Sequence, residues 1–438
     1  MTDTWLSPAQ RRFFERTRET SARLHHAVRF DVAPNLTSAA VKAALVRLVA
    51  DQHVFAARFT PSEVTRAPAI APQVQEIRGE WPSSTSPPAE VMSGLHAAID
   101  PEAGRLLEGG LIVRDGADEL ILVAHHLVTD IVSWEVIRDS LARHCVHASA
   151  GREPAPLPPI CGFWDWTAGL AELISSGRLE VLRPMWQTMV QDARGEMVNA
   201  GVEADVASLD TRIAISRARA RALRRSVPAM IVGALSYALG GESDFELEGH
   251  GRMVEGLQRD AIGSVGWFTA RYPVRVRSRR ARIEDCVAAA DRALAMPAER
   301  AATYASLRYP PAPTPEALAD GDSDLHYAPV VSVNIRGSGA RPSRVGPTRL
   351  IDGGKPCPGP AITPDLRRAA PWEFDVVVDP AAIRLEASYN RSVIPADRAA
   401  DVLRRAQAAI GECLGDSAEV VPASDRVEAA SIRSTHDG

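Results

Sequence analysis

Two short segments concentrate residue types that move protons. The first is Ala124-His125-His126-Leu127-Val128-Thr129-Asp130-Ile131-Val132-Ser133-Trp134, and the second is Leu247-Glu248-Gly249-His250-Gly251-Arg252. An imidazole titrates near working pH, and a carboxylate beside it completes the minimum set for taking a proton from a weakly acidic carbon and returning one. His125 and His126 close a strongly apolar strand. Consecutive strand residues face opposite sides, so one histidine is expected in the core and the other at an opening. Asp130, four residues on, can hold the turn through an ion pair. The spacing leaves other uses open: a structural histidine pair or, less well supported because no third and fourth ligand is apparent, a metal site. In the second segment Gly249 and Gly251 flank His250, which signals unusual backbone angles or close approach of another segment; a charged turn accounts for it equally well. A third segment, Val265-Gly266-Trp267-Phe268-Thr269-Ala270-Arg271-Tyr272-Pro273-Val274, joins a small residue to an aromatic pair and a strand. Core packing alone would explain it.

The elements that must position these segments follow from hydrophobic periodicity. Residues 9–24 predict an opening helix, 27–32 a half-buried strand, and 39–51 a helix that Thr37-Ser38 can cap. Short strands are expected at 56–59 and 73–77, a helix at 87–99, and strands at 111–115 and 119–124. The latter runs into His125-His126 and a helix over 133–146. A proline-rich connector at 150–160 leads to helices at 162–176 and 179–193. In the second half, strands are expected at 209–215, 244–249, 268–276 and 329–334, helices at 217–225 and 228–238, and a hairpin of 372–378 with 383–389. A last helix covers 396–414, and 417–438 reads as a frayed tail. Mixed strands and helices in two similar halves predict an α/β architecture with a cleft between lobes.

Composition narrows the classes. The 438 residues carry 50 Lys plus Arg against 55 Asp plus Glu, so bulk charge does not hold this chain on nucleic acid. Apolar residues at 45% and charged ones at 24% are a globular mixture, not a disordered or coiled-coil one. The longest apolar stretch, near 229–239, is too short to span a membrane, and the N-terminus lacks a signal-peptide core, so a cytoplasmic protein without membrane contact is expected. Five scattered cysteines show no zinc or redox spacing. All the cationic side chains except Lys42 and Lys355 are arginines; two basic runs, at 217–225 and 275–282, are solvated faces or docking surfaces for an acidic partner.

Taken together, the three segments resemble the epimerization domains of nonribosomal peptide synthetases, within the condensation-domain superfamily. That family carries HHxxxDxxSW, EGHGR and VGWFTxxYPV in this order. The segment Pro8-Ala9-Gln10-Arg11-Arg12-Phe13 resembles its Pro-x-Gln-x-x-Phe opening, Val331–Gly337 its asparagine-containing strand, and 374–414 its closing hairpin and helix. Departures are Ile131 where the family has glycine, an altered stretch before Val265, a shortened one at 226–242, and Ala302–Tyr309 in place of a glycine-rich segment.

The resemblance implies two chloramphenicol-acetyltransferase-like lobes in a V with a central tunnel: 1–175 carrying HHxxxD, 176–425 carrying EGHGR and VGWFT, and a tail at 426–438. It implies His126 and Glu248 as the catalytic pair. His125, Asp130, Ser133, Trp134, Gly249, His250, Arg252, Trp267, Tyr272 and Asn334 would support them, with Asp130 paired to an arginine that the sequence does not identify. The implied reaction inverts the α-carbon of an aminoacyl or peptidyl thioester. No cofactor of its own is implied; the phosphopantetheine arm belongs to a carrier protein. Because the length suffices for one such unit, a monomer meeting its carrier in trans is expected. The competing readings are a condensation or acyl-transfer enzyme and a non-catalytic carrier-binding member of an assembly line.

Overall fold

The computed structural model describes residues 4–17, 22–33, 36–60, 63–78, 87, 89–113, 118–152, 161–191, 200–215, 227–258, 260–278, 282–312, 324–337, 351–356, 361–379, 381–415 and 421–426. In chain order the N-terminal elements are α1 (Pro8–Thr17), β1 (His25–Val32), α2 (Ser38–Asp51), β2 (Ala57–Phe59), β3 (Val64–Arg66), β4 (Gln75–Arg78), α3 (Ala89–Ala98), β5 (Leu107–Val113), β6 (Asp118–His125), α4 (Ile131–Ser149), α5 (Phe163–Ser175) and α6 (Arg183–Gln191). They are followed by β7 (Val206–Ala214), α7 (Val227–Leu239), β8 (Glu242–Gly249), β9 (Ala270–Arg277), α8 (Ile283–Ala293), α9 (Ala298–Arg308), β10 (Val331–Gly337), β11 (Ile351–Pro356), β12 (Trp372–Val378), β13 (Ala382–Asn390), α10 (Ala396–Leu414) and β14 (Val421–Arg426).

The first sheet has the order β11-β1-β6-β5-β4. Its strands alternate as a two-sided sheet requires. Leu120, Leu122 and Ala124 of β6 face α2 and α4 and join Val41, Leu45, Ile137 and Leu141 in one core. Ile121 and Val123 face the other way and pack on Met92 and Leu95 of α3. Thr37 caps α2 as expected, its Oγ1 accepting from the Ala40 N–H at 3.2 Å.

The second sheet has the order β14-β7-β13-β12-β10-β8-β9. Phe245, Leu247, Val274, Val331, Val333, Phe374 and Val376 line its apolar face, against Ile231 and Leu235 of α7, Ile283 of α8, and Leu403 and Ile410 of α10. The pairing registers Glu246↔Ser332, Ser332↔Glu373 and Glu248↔Arg271 put a row of polar side chains on the opposite face. That face meets the N-terminal lobe: Arg12 of α1 grips Glu246 across it.

Several outcomes differ from the sequence reading: α1 ends at Thr17 rather than running to 24, and β3 pairs with β2 where only loop was expected. Helices α8 and α9 occupy stretches to which no element was assigned, and tertiary burial of Ala289, Ala290, Ala301 and Ala302 sustains them. Part of the expected tail forms β14 on the edge strand β7, because an open sheet edge offers backbone partners to any chain that reaches it. Residues 351–356 cross to pair antiparallel with β1 in the first sheet. The expected helix at 217–225, with its arginines, and the connector residues 153–160 lie outside the described residues. In the second basic run Arg275 and Arg277 both pair with Asp244, which consumes part of that charge.

Candidate active site

β6 delivers the histidine pair, and period-two geometry separates the two. His125 is buried at 1% exposure; its Nδ1 accepts from the Leu127 N–H at 3.0 Å, so its Nε2 carries the proton and donates to the Ala22 carbonyl at 3.3 Å. It packs edge-on against His25, which stacks on His96 of α3. His126 turns the other way and is half-buried between two rings, His26 at 3.9 Å and Trp267 at 4.0 Å between centroids. Trp134 donates its indole N–H to His26 Nδ1 at 3.3 Å, which sets the orientation of that ring. Burial, reinforced by His26, holds His126 well below the ordinary histidine value, so it rests neutral and able to accept a proton.

The motifs distant in sequence are tied together by one buried knot. Asp130 caps α4, its Oδ1 accepting from the Ser133 N–H and from Ser133 Oγ, both at 2.8 Å. The arginine expected opposite Asp130 is Arg252: its Nη1 and Nη2 bind Oδ2 and Oδ1 at 2.7 and 2.8 Å. Arg252 also donates to Ser133 Oγ and the Ser264 carbonyl and lies 4.4 Å above the Phe268 ring. Asp130 Oδ2 accepts the Phe268 N–H at 3.1 Å, while Ser133 Oγ accepts the Gly266 N–H at 3.1 Å. Gly251, at φ 65°, lets this loop cross the Phe268 carbonyl, where any Cβ would collide. Gly266 similarly meets the Phe163 ring without a side chain between them. The N-terminal segment locks the assembly: Ser7 Oγ donates to the Trp267 carbonyl at 2.8 Å and Gln10 Nε2 to the Leu127 carbonyl at 2.6 Å.

Glu248 stands half-buried on the polar face of β8. Burial pushes its carboxyl above the ordinary carboxylate value; Arg271, ion-paired to it, opposes this, and Glu246 and Glu373 reinforce it. For neighbouring Glu246, burial acts upward but Arg12 and Arg271 outweigh it and hold the carboxyl low. The Arg271 charge also acts on His126, which links the two halves of the proton-moving set electrostatically.

The other expected residues hold separate places in the structure. Tyr272 is half-buried and packs on both cores, joining the lobes. His250 is exposed, its Nδ1 accepting from the Arg252 N–H at 3.1 Å, and Gly249 adopts no left-handed angle. Asn334 donates to Asp375 Oδ1 at 3.1 Å beside Arg336 on β10, and the Arg336 charge reaches His26. Ile131 does not disturb the turn: it begins α4 with its side chain 49% exposed. His26, Glu246, Arg271, Arg12 and Gln10 were not singled out for the site. The pairing of β1 with β6, which sets His26 opposite Ala124, is a long-range fact that no local spacing announces.

Residues 2–199 match the family described as Condensation domain. Nonribosomal peptide synthetase 4 of Gibberella zeae is 27% identical over 61% of this chain, and chondramide synthase cmdD of Chondromyces crocatus is 24% identical over 89% of it. The chain spans only 4% and 10% of those two proteins. Among solved structures, the epimerization domain from the third module of tyrocidine synthetase B superposes with a TM-score of 0.75 at 17% identity, covering 94% of this chain and 98% of that one. The fold is thus that of the chloramphenicol-acetyltransferase-like condensation and epimerization domains, and no described helix is long and apolar enough to cross a membrane.

Proposed function

We propose that this chain, whose residues 2–199 match the condensation domain family, is a member of that superfamily that inverts the α-carbon of an aminoacyl or peptidyl thioester presented on a carrier protein's phosphopantetheine arm. One observation carries the reading. His126 at the end of β6 and Glu248 on the polar face of β8 share Arg271, which is ion-paired to the carboxyl and acts on the imidazole, and burial displaces the histidine downward and the carboxyl upward. Opposed displacement is what separates a base from an acid in a proton-transfer pair.

The thioester acidifies the α-carbon. Neutral His126 takes the α-proton, and the C–H electron pair moves into the enolate. Glu248 in its acid form donates to the opposite face of that carbon. The pair is left as imidazolium and carboxylate and resets by proton return through solvent. Trp267 and His26 keep the His126 ring in one orientation throughout.

The test is a carrier loaded with an L-aminoacyl or peptidyl thioester in deuterated buffer, read for chirality and α-deuterium. Exchange that is lost in both His126→Ala and Glu248→Gln supports epimerization. The second reading is condensation or acyl transfer, in which His126 assists an amine or alcohol acceptor; the family match that ends at residue 199, before Glu248, favours it. Its signature is a new amide or ester without α-exchange. Carrier binding without either product would leave a non-catalytic role.

A further inference from the structure

Glu248 faces Arg271 directly across the β8–β9 ladder, and the two are ion-paired. Through Nη1 the same guanidinium also donates to Glu246 Oε2 at 3.1 Å and Ser332 Oγ at 3.3 Å. Glu246 has a full partner without it, since Arg12 binds both its oxygens at 2.7 and 3.0 Å. Of these four charged groups the two between them are unequal in access: Glu246 is 3% exposed and Arg271 28%. Arg271 is therefore an anchored cation with its second nitrogen on a reacting carboxyl, at the junction and within electrostatic reach of His126.

Resting on the reaction proposed above, we infer that Arg271 is its oxyanion donor, exchanging Glu248 for the thioester carbonyl oxygen as that oxygen becomes an enolate. When His126 removes the α-proton, the C–H pair forms the new C=C bond and the carbonyl π pair moves to oxygen. One negative charge appears there, and Nη2 of Arg271 moves to it while Nη1 stays on Glu246 and Ser332. When Glu248 gives its proton to the opposite face, the pair returns from oxygen to carbon, the carbonyl reforms, and Arg271 goes back to the new carboxylate. Glu248, a carboxylate while Arg271 holds it, takes a proton from solvent as Nη2 leaves it, so Nη2 faces the resting carboxylate, then the enolate oxygen, then the new carboxylate, and nothing is oxidised or reduced. A planar fork of five donors suits such an exchange, because one edge can stay fixed while the other changes acceptor.

The groups around Glu248 agree with this. Glu246 on its own strand and Glu373 on β12 favour its acid form, while Arg271 on β9 and Arg12 on α1 oppose it. With Arg271 drawn to the substrate, the balance tips toward the acid that the second half-reaction consumes.

The experiment uses the whole protein with L-aminoacyl pantetheine thioesters in deuterated buffer, comparing wild type, Arg271→Gln and Arg271→Lys. The glutamine variant is expected to lose about 100-fold or more in kcat for α-exchange, with KM changed less than about threefold. The lysine variant keeps the charge without the fork and recovers about tenfold of that loss. A carbon-13 titration of the Glu248 carboxyl, which needs no substrate, should move upward in Arg271→Gln. Exchange within about threefold of wild type, a loss carried by KM alone, or an unmoved Glu248 titration overturns the role of Arg271. Wild type without any exchange overturns the parent reaction together with it, whereas an exchanging wild type with an unaffected glutamine variant overturns the Arg271 assignment alone.

Discussion

Replacing Arg252 with methionine removes the cation at the centre of the interlobe knot. Both partners are inaccessible, Arg252 at 1% and Asp130 at 2% exposure. Breaking a buried pair from one side leaves an uncompensated charge and costs about 3–5 kcal/mol. Asp130 would still accept from the Ser133 N–H, Ser133 Oγ and the Phe268 N–H, which places the loss near the lower end, about 3 kcal/mol. Methionine retains contact with the Phe268 ring, so little of the loss is ring packing. The double variant Arg252→Met/Asp130→Asn removes both charges and should recover about 2 kcal/mol relative to the sum of the single variants. Urea unfolding of all four proteins measures this, with m-values compared so that a change of unfolding mechanism is not read as stability. An Arg252→Met loss below about 1 kcal/mol, or strict additivity with Asp130→Asn, would refute the claim that this pair ties the lobes.

Acid should weaken the fold early. Burial holds His25 at about 2 and His26, His96 and His125 at about 4, below the ordinary histidine value, so the unfolded chain binds more protons between about pH 6.5 and 4, and stability falls as pH drops through that window; urea midpoints at pH 7.5 and 5.5 that coincide would contradict this. Gly251→Ala forces a Cβ into the Phe268 carbonyl at a left-handed angle and should cost about 2 kcal/mol or more, while Gly249→Ala, with Tyr272 at 3.7 Å as its nearest neighbour, should stay within about 1 kcal/mol; thermal unfolding separates them. Trp134→Phe strips His26 Nδ1 of its donor and should cost about 1 kcal/mol, with a changed nitrogen-15 shift of the His26 ring as the direct readout.

Local order was legible in the sequence wherever one period decided it. The alternation of β6 predicts opposite faces for His125 and His126, and the structure buries one and leaves the other at the junction. Thr37 announced the start of α2, and the stripe over 396–414 gave the bounds of α10 without error, since capping and helical period depend on neighbours three and four residues away. The hairpin of β12 and β13 was visible as two apolar strands around a turn at Asp379-Pro380. What no local pattern carries is partnership. Asp130 lies 122 residues from Arg252, Arg12 lies 234 from Glu246, and β11 crosses to pair with β1. Arg271 reads in the sequence as one more strand arginine; only its register opposite Glu248 makes it a neighbour of the proton-moving carboxyl. Strand and helix periods decide which way a side chain faces. Which groups it then meets is decided by the packing of two sheets and their helices into one junction, where burial turns ordinary titrating groups into displaced ones.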